Sequence, residues 1–421
     1  MPDNKVQVMF RLVRLAAQIM LESGGEIYRV EETTQRICAS LGMPEVDVIA
    51  IPTGIFISVE TPDRQMSTTV KRIRSRITDL SRISQVNQIS REITAGSLAP
   101  DQAMLRLEDL RCRTLPFWRQ ALSAALSAGF FALLFGGGWF EFLAALLCGL
   151  AIQTVRRYVA GDYQSHVLFS LLGGMTATLV ALLLTGLMQA DSLGIIITGA
   201  IMPLVPGLAM THAVRDTMRG DLVSGVTGAA EALLTAILIA VGVGLVLALR
   251  LAALPDLPPA NGIGTDLASL LLTLVYCYLA TLFFADLFHA PWRAIPAAAT
   301  VGSLGYLVWY LINQKAGASF MAFFAATLLM AITSEILARL MKLPATVFIT
   351  TAIIPIVPGL GLYQTMLLIV GQNDAAALRQ GVDTLAAIGT MALALAVNAL
   401  LTQWIYRGHT AADGRETSDG C

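Results

Sequence analysis

The chain has 421 residues, of which 56% are hydrophobic and 14% charged, and its formal net charge is −1. Soluble domains run near ~45–50% apolar and ~25% charged, so the composition excludes an ordinary soluble protein, and the near-neutral balance argues against nucleic acid as a partner. The cysteines (Cys38, Cys112, Cys148, Cys277, Cys421) form no CxxC and the histidines (His166, His212, His289, His409) no HxxxH or HExxH, so no metal, no cofactor and no metal-dependent enzyme are expected.

Residues 1–115 carry a normal share of charge and predict an α+β domain. Residues 5–20 put Val6, Phe10, Val13, Ala17 and Met20 on one helical face, with Arg11 and Arg14 inside the run. That is an amphipathic helix and not a signal-peptide core, so the N-terminus is expected in the cytoplasm. A second helix begins at "SGGEIYRVEETTQRICASLG", where Ser23 and Glu26 have capping-box spacing and Gly42 supplies the stop. "VDVIAIPTGIFISVETPDRQMSTTV" predicts a three-stranded meander with turns at Pro52-Thr53-Gly54 and Pro62-Asp63. "KRIRSRITDLSRISQVNQISREI" predicts a basic helix, and 96–116 a linker with a short helix.

From Phe117 onward, apolar runs of ~20 residues follow one another, each long enough to cross a bilayer. They divide into about ten spans, at 118–138, 140–155, 165–188, 192–213, 225–249, 266–288, 292–312, 317–338, 345–370 and 381–406. Five fall in a first half, 116–255, and five in a second, 256–408; 409–421 is expected to be a disordered tail. With the N-terminus inside, Arg156, Arg157, Arg215, Arg219, Arg293, Arg339, Lys342 and Arg407 lie on the cytoplasmic side, against Arg250, Lys315 and Arg379 outside. This bias places both termini in the cytoplasm of a multi-pass protein.

"ITGAIMPLVPGL" (197–208) returns as "ITTAIIPIVPGL" (349–360), with nine of twelve positions identical at an offset of 152. Five spans separate the copies, and an odd number inverts the second relative to the first, a common plan of secondary transporters. Pro203 and Pro206 interrupt one apolar segment, Pro355 and Pro358 the other, and Gly207 and Gly359 follow. Broken helix is tolerated in lipid only where protein or a wet cavity satisfies the freed backbone. Paired half-helix ends would suit a small solute carrying both a carboxylate and an ammonium. A proline kink that serves packing alone is the competing reading.

"SGGEIYRVEETTQRI", "IAIPTGIFISV" and the paired "PLVPG" and "PIVPG" resemble the threonine/serine exporter family, in its fused form with a cytoplasmic domain and two five-span halves. The likeness extends over nearly the whole chain. It implies export of threonine and serine across a bacterial inner membrane, driven by the proton motive force. Related two-subunit members imply dicarboxylate export as an alternative. A membrane-embedded enzyme with a catalytic N-terminal domain, a channel and a scaffold are weaker readings. No nucleophile with a base and an orienter supports the enzyme.

The expected partners are a small solute, protons and lipid, and association with further copies of the chain is left open. Pro203, Pro206, Gly207, Thr211, Pro355, Pro358, Gly359, Tyr363 and Gln364 are the candidate substrate-binding residues, and His212 lies beside Thr211. Glu231, Asp383 and Glu335 are the candidate proton-coupling residues, because intramembrane carboxylates are costly and functional by default. Glu231 and Asp383 each stand 28 residues beyond the first proline of their motif. Glu231 is expected to be buried, which would raise its pKa. The bland alternatives are a buried arginine pair for Glu231, a solvated helix start for Asp383, and an ion pair of Glu335 with Arg339. Asp286 reads as an end-of-helix charge and Asn398 as an interhelical hydrogen-bonder. Glu26, Arg29, Glu31 and Glu32 cluster on one helix beside Gly24-Gly25 without a role that the residues themselves assign.

Overall fold

The computed structural model describes residues 2–43, 45–60, 66–74, 76–112, 116–159, 165–188, 192–249, 267–316 and 319–416. The expected turn at Pro62-Asp63 and the boundary between the two halves at 255–256 lie outside these residues.

The N-terminal region is built from α1 (Pro2–Glu22), α2 (Ile27–Ser40), β1 (Val46–Ile51), β2 (Gly54–Glu60), β3 (Met66–Arg72), α3 (Leu80–Thr94) and α4 (Pro100–Cys112). The strands form one antiparallel meander in the order β1-β2-β3, with Ile51 opposite Gly54 across the Pro52-Thr53 turn. The alternation of β2 buries Ile55, Ile57 and Val59. They meet Val13, Ala17 and Met20 from the apolar face of α1, and Val30, Ile37 and Cys38 from α2, in a single core.

Two local expectations fail for definable reasons. The basic run from Lys71 does not start a helix. Lys71 and Arg72 finish β3, and α3 begins only at Leu80, where the Asp79 carboxylate accepts from the Arg82 backbone N–H. The capping box is not formed either. Glu26 is the N-cap of α2 in position, but its side chain caps nothing, and the Ser23 hydroxyl has no partner. The Glu26 carboxylate is taken by two arginines, a stronger interaction in a buried setting than a backbone cap.

The rest is helical: α5 (Phe117–Leu134), α6 (Trp139–Val159), α7 (Ser165–Met188), α8 (Leu193–Ile201), α9 (Gly207–Met218), α10 (Leu222–Leu249), α11 (Leu267–Leu287), α12 (Ile295–Ala316), α13 (Ser319–Met341), α14 (Ala345–Ala352), a 3-10 turn Ile354–Ile356, α15 (Gly359–Val370) and α16 (Asp374–Glu416). Among the described residues, eight helices are long and apolar enough to cross a membrane, and α14 with α15, bent by 45°, makes a ninth if the pair is one span. The protein is a polytopic α-helical membrane protein with an N-terminal α+β region. The expected span 192–213 is two short helices of 9 and 12 residues, each too short to cross a membrane alone, and α9 runs on past its expected end to Met218. The last helix also departs from its expected limits: it begins at Asp374 and continues to Glu416, into the segment expected as a tail.

The repeat reaches beyond the motif. Ala345, Gly359 and Asp374 open α14, α15 and α16, each 152 residues after Leu193, Gly207 and Leu222 open α8, α9 and α10. The packing follows suit. α5 packs on α6, α6 on α7 and α7 on α10; α11 packs on α12, α12 on α13 and α13 on α16. α8 touches α5, α6 and α7 as α14 touches α11, α12 and α13. α9 contacts α10 and α16, and α15 contacts α16 and α10. Among the described residues, counterparts also touch directly, α5 with α11 and α9 with α15. The first of these is tied by Asp286, which accepts from Arg119 Nη2 at 2.5 Å and from the Ser123 hydroxyl at 2.5 Å. Asp286 therefore joins two helices instead of merely ending one.

The cores interleave. Tyr363 and Leu367 of α15 sit in the core formed by α6, α7, α8 and α10. Phe131 and Leu134 of α5, with Met202, sit in the core formed by α11 to α14 and α16.

Candidate functional site

The two proline-glycine motifs break their helices at equivalent points and meet. α9 and α15 each begin at the motif glycine, and neither start is capped by a side chain. A methyl group at Gly207 would lie 2.6 Å from Gly359 Cα, and one at Gly359 would lie 3.0 Å from Gly207 Cα. The flanking valines interlock in the same sense, Val357 over Gly207 and Val205 over Gly359. Only glycine allows two backbones this close. Two helix N-termini thus converge, and each carries unpaired N–H groups and roughly half a positive charge.

Around this crossing, Pro206, Gly207, Pro355 and Gly359 are buried, and Pro203 and Pro358 are half-buried. Thr211 is buried, and its hydroxyl donates to the Gly207 carbonyl at 3.0 Å. Tyr363 is buried in the first core, one helical turn past Gly359. Gln364 is buried and accepts from Gln380 Nε2 at 3.1 Å. The structure thus gathers all nine candidate binding residues on the two broken segments. It does not gather the three carboxylates there. Glu231 lies on the exposed side of α10 with Leu234, contrary to its expected burial, because the inner face of α10 is taken by Ala232, Ala236 and Ile239. Asp383 is likewise exposed on α16. Glu335 is half-buried and lines a separate cleft.

Sequence reasoning missed the most heavily charged buried feature. Arg215, two turns along α9 from Gly207, is 4% exposed. Its Nη1 lies 2.5 Å from Glu26 Oε1, while Arg29 Nε lies 3.0 Å from Glu26 Oε2. Glu26 thereby bridges the N-terminal domain to α9. The Ser23-Gly24-Gly25 turn aims it: Gly24 has φ +78°, and a Cβ at Gly25 would lie 2.8 Å from the Met20 carbonyl oxygen. The Arg219 guanidinium stacks 4.2 Å over the Tyr28 ring in the same junction. Burial works to raise the pKa of Glu26, but the charges of Arg215 and Arg29 outweigh it and hold the carboxyl well below the usual range. Because 189 positions separate Glu26 from Arg215, no local pattern could have paired them.

The domain is also tied to the second half. The Leu80 N–H donates to the Phe288 carbonyl at 3.0 Å, His289 Nδ1 lies 3.2 Å from Asp79 Oδ2, and Arg91 Nη2 donates to the Lys342 carbonyl at 2.9 Å. The connections after α9, α11 and α13 therefore all lie on the domain's side. Between the domain and the second half opens a cleft of about 940 Å³, lined by Arg29, Arg36, Arg91, Arg293, Arg339 and Lys342 against Glu32 and Glu335. Its charge favours anions. Among the described residues, no group of three or more His, Cys, Asp or Glu side chains could hold a metal ion.

These features have counterparts in known proteins. Residues 11–250 match a family described as "Putative threonine/serine exporter", and residues 273–401 match "Threonine/Serine exporter, ThrE". The chain is 25% identical over 414 residues to the "Threonine/serine exporter" of Corynebacterium glutamicum, covering 96% of this chain and 83% of that one. It is 24% identical over 374 residues to a "Probable threonine/serine exporter" of Mycobacterium tuberculosis, covering 86% and 69%. It is also 24% identical over 252 residues to the "Probable succinate transporter subunit YjjP" of Escherichia coli, covering 60% of this chain and 97% of that subunit. No solved structure matches. With the first of these families matching more than half of its length, the chain belongs to the threonine/serine exporter family and is a membrane transporter.

Proposed function

We propose that this protein is a secondary active exporter of threonine and serine, driven by the proton motive force through alternating access in a bacterial inner membrane. The observation that carries the reading is the convergence of the two uncapped helix starts at Gly207 and Gly359. Helix N-termini at mid-membrane suit the carboxylate of an amino acid, and exposed carbonyls of the broken segments suit its ammonium. The nine motif residues from Pro203 to Gln364 line this site.

The membrane region is read as ten spans in a 5+5 inverted repeat, counting α8–α9 and α14–α15 as one broken span each. The shared offset of the helix starts and the matched neighbours of α5–α10 and α11–α16 support this. The N-terminal domain and both termini are read as cytoplasmic, on the side enriched in Lys and Arg. Glu231, Asp383 and Glu335 are the proposed proton-coupling groups. The likeness to a succinate transporter subunit and the basic cleft favour a second reading, export of a dicarboxylate.

Efflux of radiolabelled threonine, serine and succinate from proteoliposomes with an imposed pH gradient, with and without an uncoupler, tests both. Gradient-dependent efflux of threonine or serine supports the first reading, and of succinate alone the second. Efflux of none refutes export of these solutes.

A further inference from the structure

Arg215 is only half used. Its Nη1 meets Glu26, but Nε and Nη2, the pair on its other edge, are buried with no hydrogen-bond partner. Asp216 Oδ1 lies 3.8 Å from Nη2, too far to accept a hydrogen bond. Asp216 is thus a neighbouring charge at that edge, within ion-pair range of Nη2, and leaves its N–H groups without an acceptor. His212, one turn earlier on the same side of α9, has a buried Nδ1 without a partner, and so does Arg76 Nε from the N-terminal domain. His212 feels the charges of Arg215, Glu26, Arg76 and Arg219, and Arg76 feels those of Glu231 and Asp216, so cations and carboxylates share this junction.

Buried polar groups without partners are rare and costly, and the two unpaired N–H groups on one edge of a buried guanidinium have a specific complement. The Nε/Nη2 edge offers two parallel N–H groups at the spacing of the two oxygens of a carboxylate. The site is also one-sided. The position 152 residues beyond Arg215 is Leu367, which is buried in the first core. The repeat therefore carries this cation on one side only, the side packed against the N-terminal domain, where Glu26 links it to Arg29 on the wall of the basic cleft.

We infer that the Nε/Nη2 edge of Arg215, with His212 and Arg76 beside it, binds the carboxylate group of the transported solute on the side packed against the N-terminal domain, before the solute reaches the crossing of the broken helices. The inference rests on the export reading for the direction of travel. Glu26 holds the guanidinium in place from behind, so Arg29 and Glu26 position the group that touches the solute.

The test is equilibrium binding of radiolabelled L-threonine and succinate to the purified full-length protein, with threoninamide and succinamide as competitors. The wild type is expected to bind at least one of the acids tenfold or more tightly than its amide, and which acid shows the preference identifies the solute class. Arg215→Lys keeps the charge towards Glu26 but loses the fork, and its preference should fall below threefold. Glu26→Gln/Arg215→Gln removes both charges together, leaves no uncompensated ion, and should lose the preference as well. A wild type that does not prefer an acid to its amide, or a folded variant that keeps the wild-type preference, overturns the site. Acid-selective binding that depends on Arg215, in a protein that supports no efflux, would instead sink the export reading and leave the site standing.

Discussion

Replacing Gly207 by alanine tests whether the two broken helices touch. The added methyl would lie 2.2 Å from Val357 Cγ1, 2.6 Å from Gly359 Cα and 2.8 Å from Gly359 N. A valine methyl can rotate away, but the Gly359 backbone cannot, so relief requires α15 to move. Overpacking of this kind costs ~1–3 kcal/mol, and with two of three contacts on backbone the upper end applies, near ~3 kcal/mol or about a hundredfold in an equilibrium constant. Gly389→Ala is the matched control. It lies inside α16 with nothing within 4 Å of an added Cβ, so alanine there should stabilise by roughly 0.5–1 kcal/mol. Thermal unfolding of the purified variants should show Gly207→Ala melting below wild type and Gly389→Ala at or above it, with solute efflux lost only in the former. Adding Val357→Ala to Gly207→Ala should restore part of the loss. A Gly207→Ala protein that melts and transports like wild type would refute the close approach.

Glu26→Ala leaves Arg215 buried without its ion-pair partner and should destabilise the domain junction by roughly 3–5 kcal/mol, read as faster proteolytic release of the N-terminal domain. The same pair sets an acid limit. Because the folded carboxyl lies below its ordinary value of 4.5, its stabilisation is complete above that pH and is lost only as pH falls through the lower folded value. The melting temperature should therefore hold down to about pH 4.5 and decline below it, and Glu26→Gln should weaken that decline. Asp286→Asn should lower the melting temperature more than Ser123→Ala, since Asp286 holds both Arg119 and Ser123 across α5 and α11. Glu231→Gln should leave the protein inserted and remove the response of efflux to an imposed pH gradient, and an unchanged response excludes Glu231 from coupling.

Much of the fold was legible because its signals are local or periodic. The β-branched runs around Pro52-Thr53-Gly54 define a meander, and the twin proline-glycine phrases carry an offset that three helix starts share. What was not legible depends on distant partners. Glu26 reads as a capping residue until Arg215, on a membrane-half helix, claims its carboxylate. The basic run from Lys71 reads as helix until pairing with β2 holds its start in a strand. Glu231 reads as buried because its neighbours are alanine and leucine, but an apolar neighbourhood in sequence does not say which face of α10 turns inward. The breaks at Pro203–Gly207 and Pro355–Gly359 were legible for the opposite reason. Backbone breakage is written in the proline and glycine themselves.

The interleaved cores have a consequence for how the protein is made. Tyr363 and Leu367 complete the interior of the first half, and Phe131, Leu134 and Met202 complete that of the second. Each half made alone would carry a hole where the other's side chains belong. If the gene were cut between α10 and α11, the two fragments should each be degraded when expressed singly and should rescue one another when produced in the same cell. Such a chain gains little from separate regulation of its parts and much from synthesis in a fixed one-to-one ratio, which a single polypeptide guarantees.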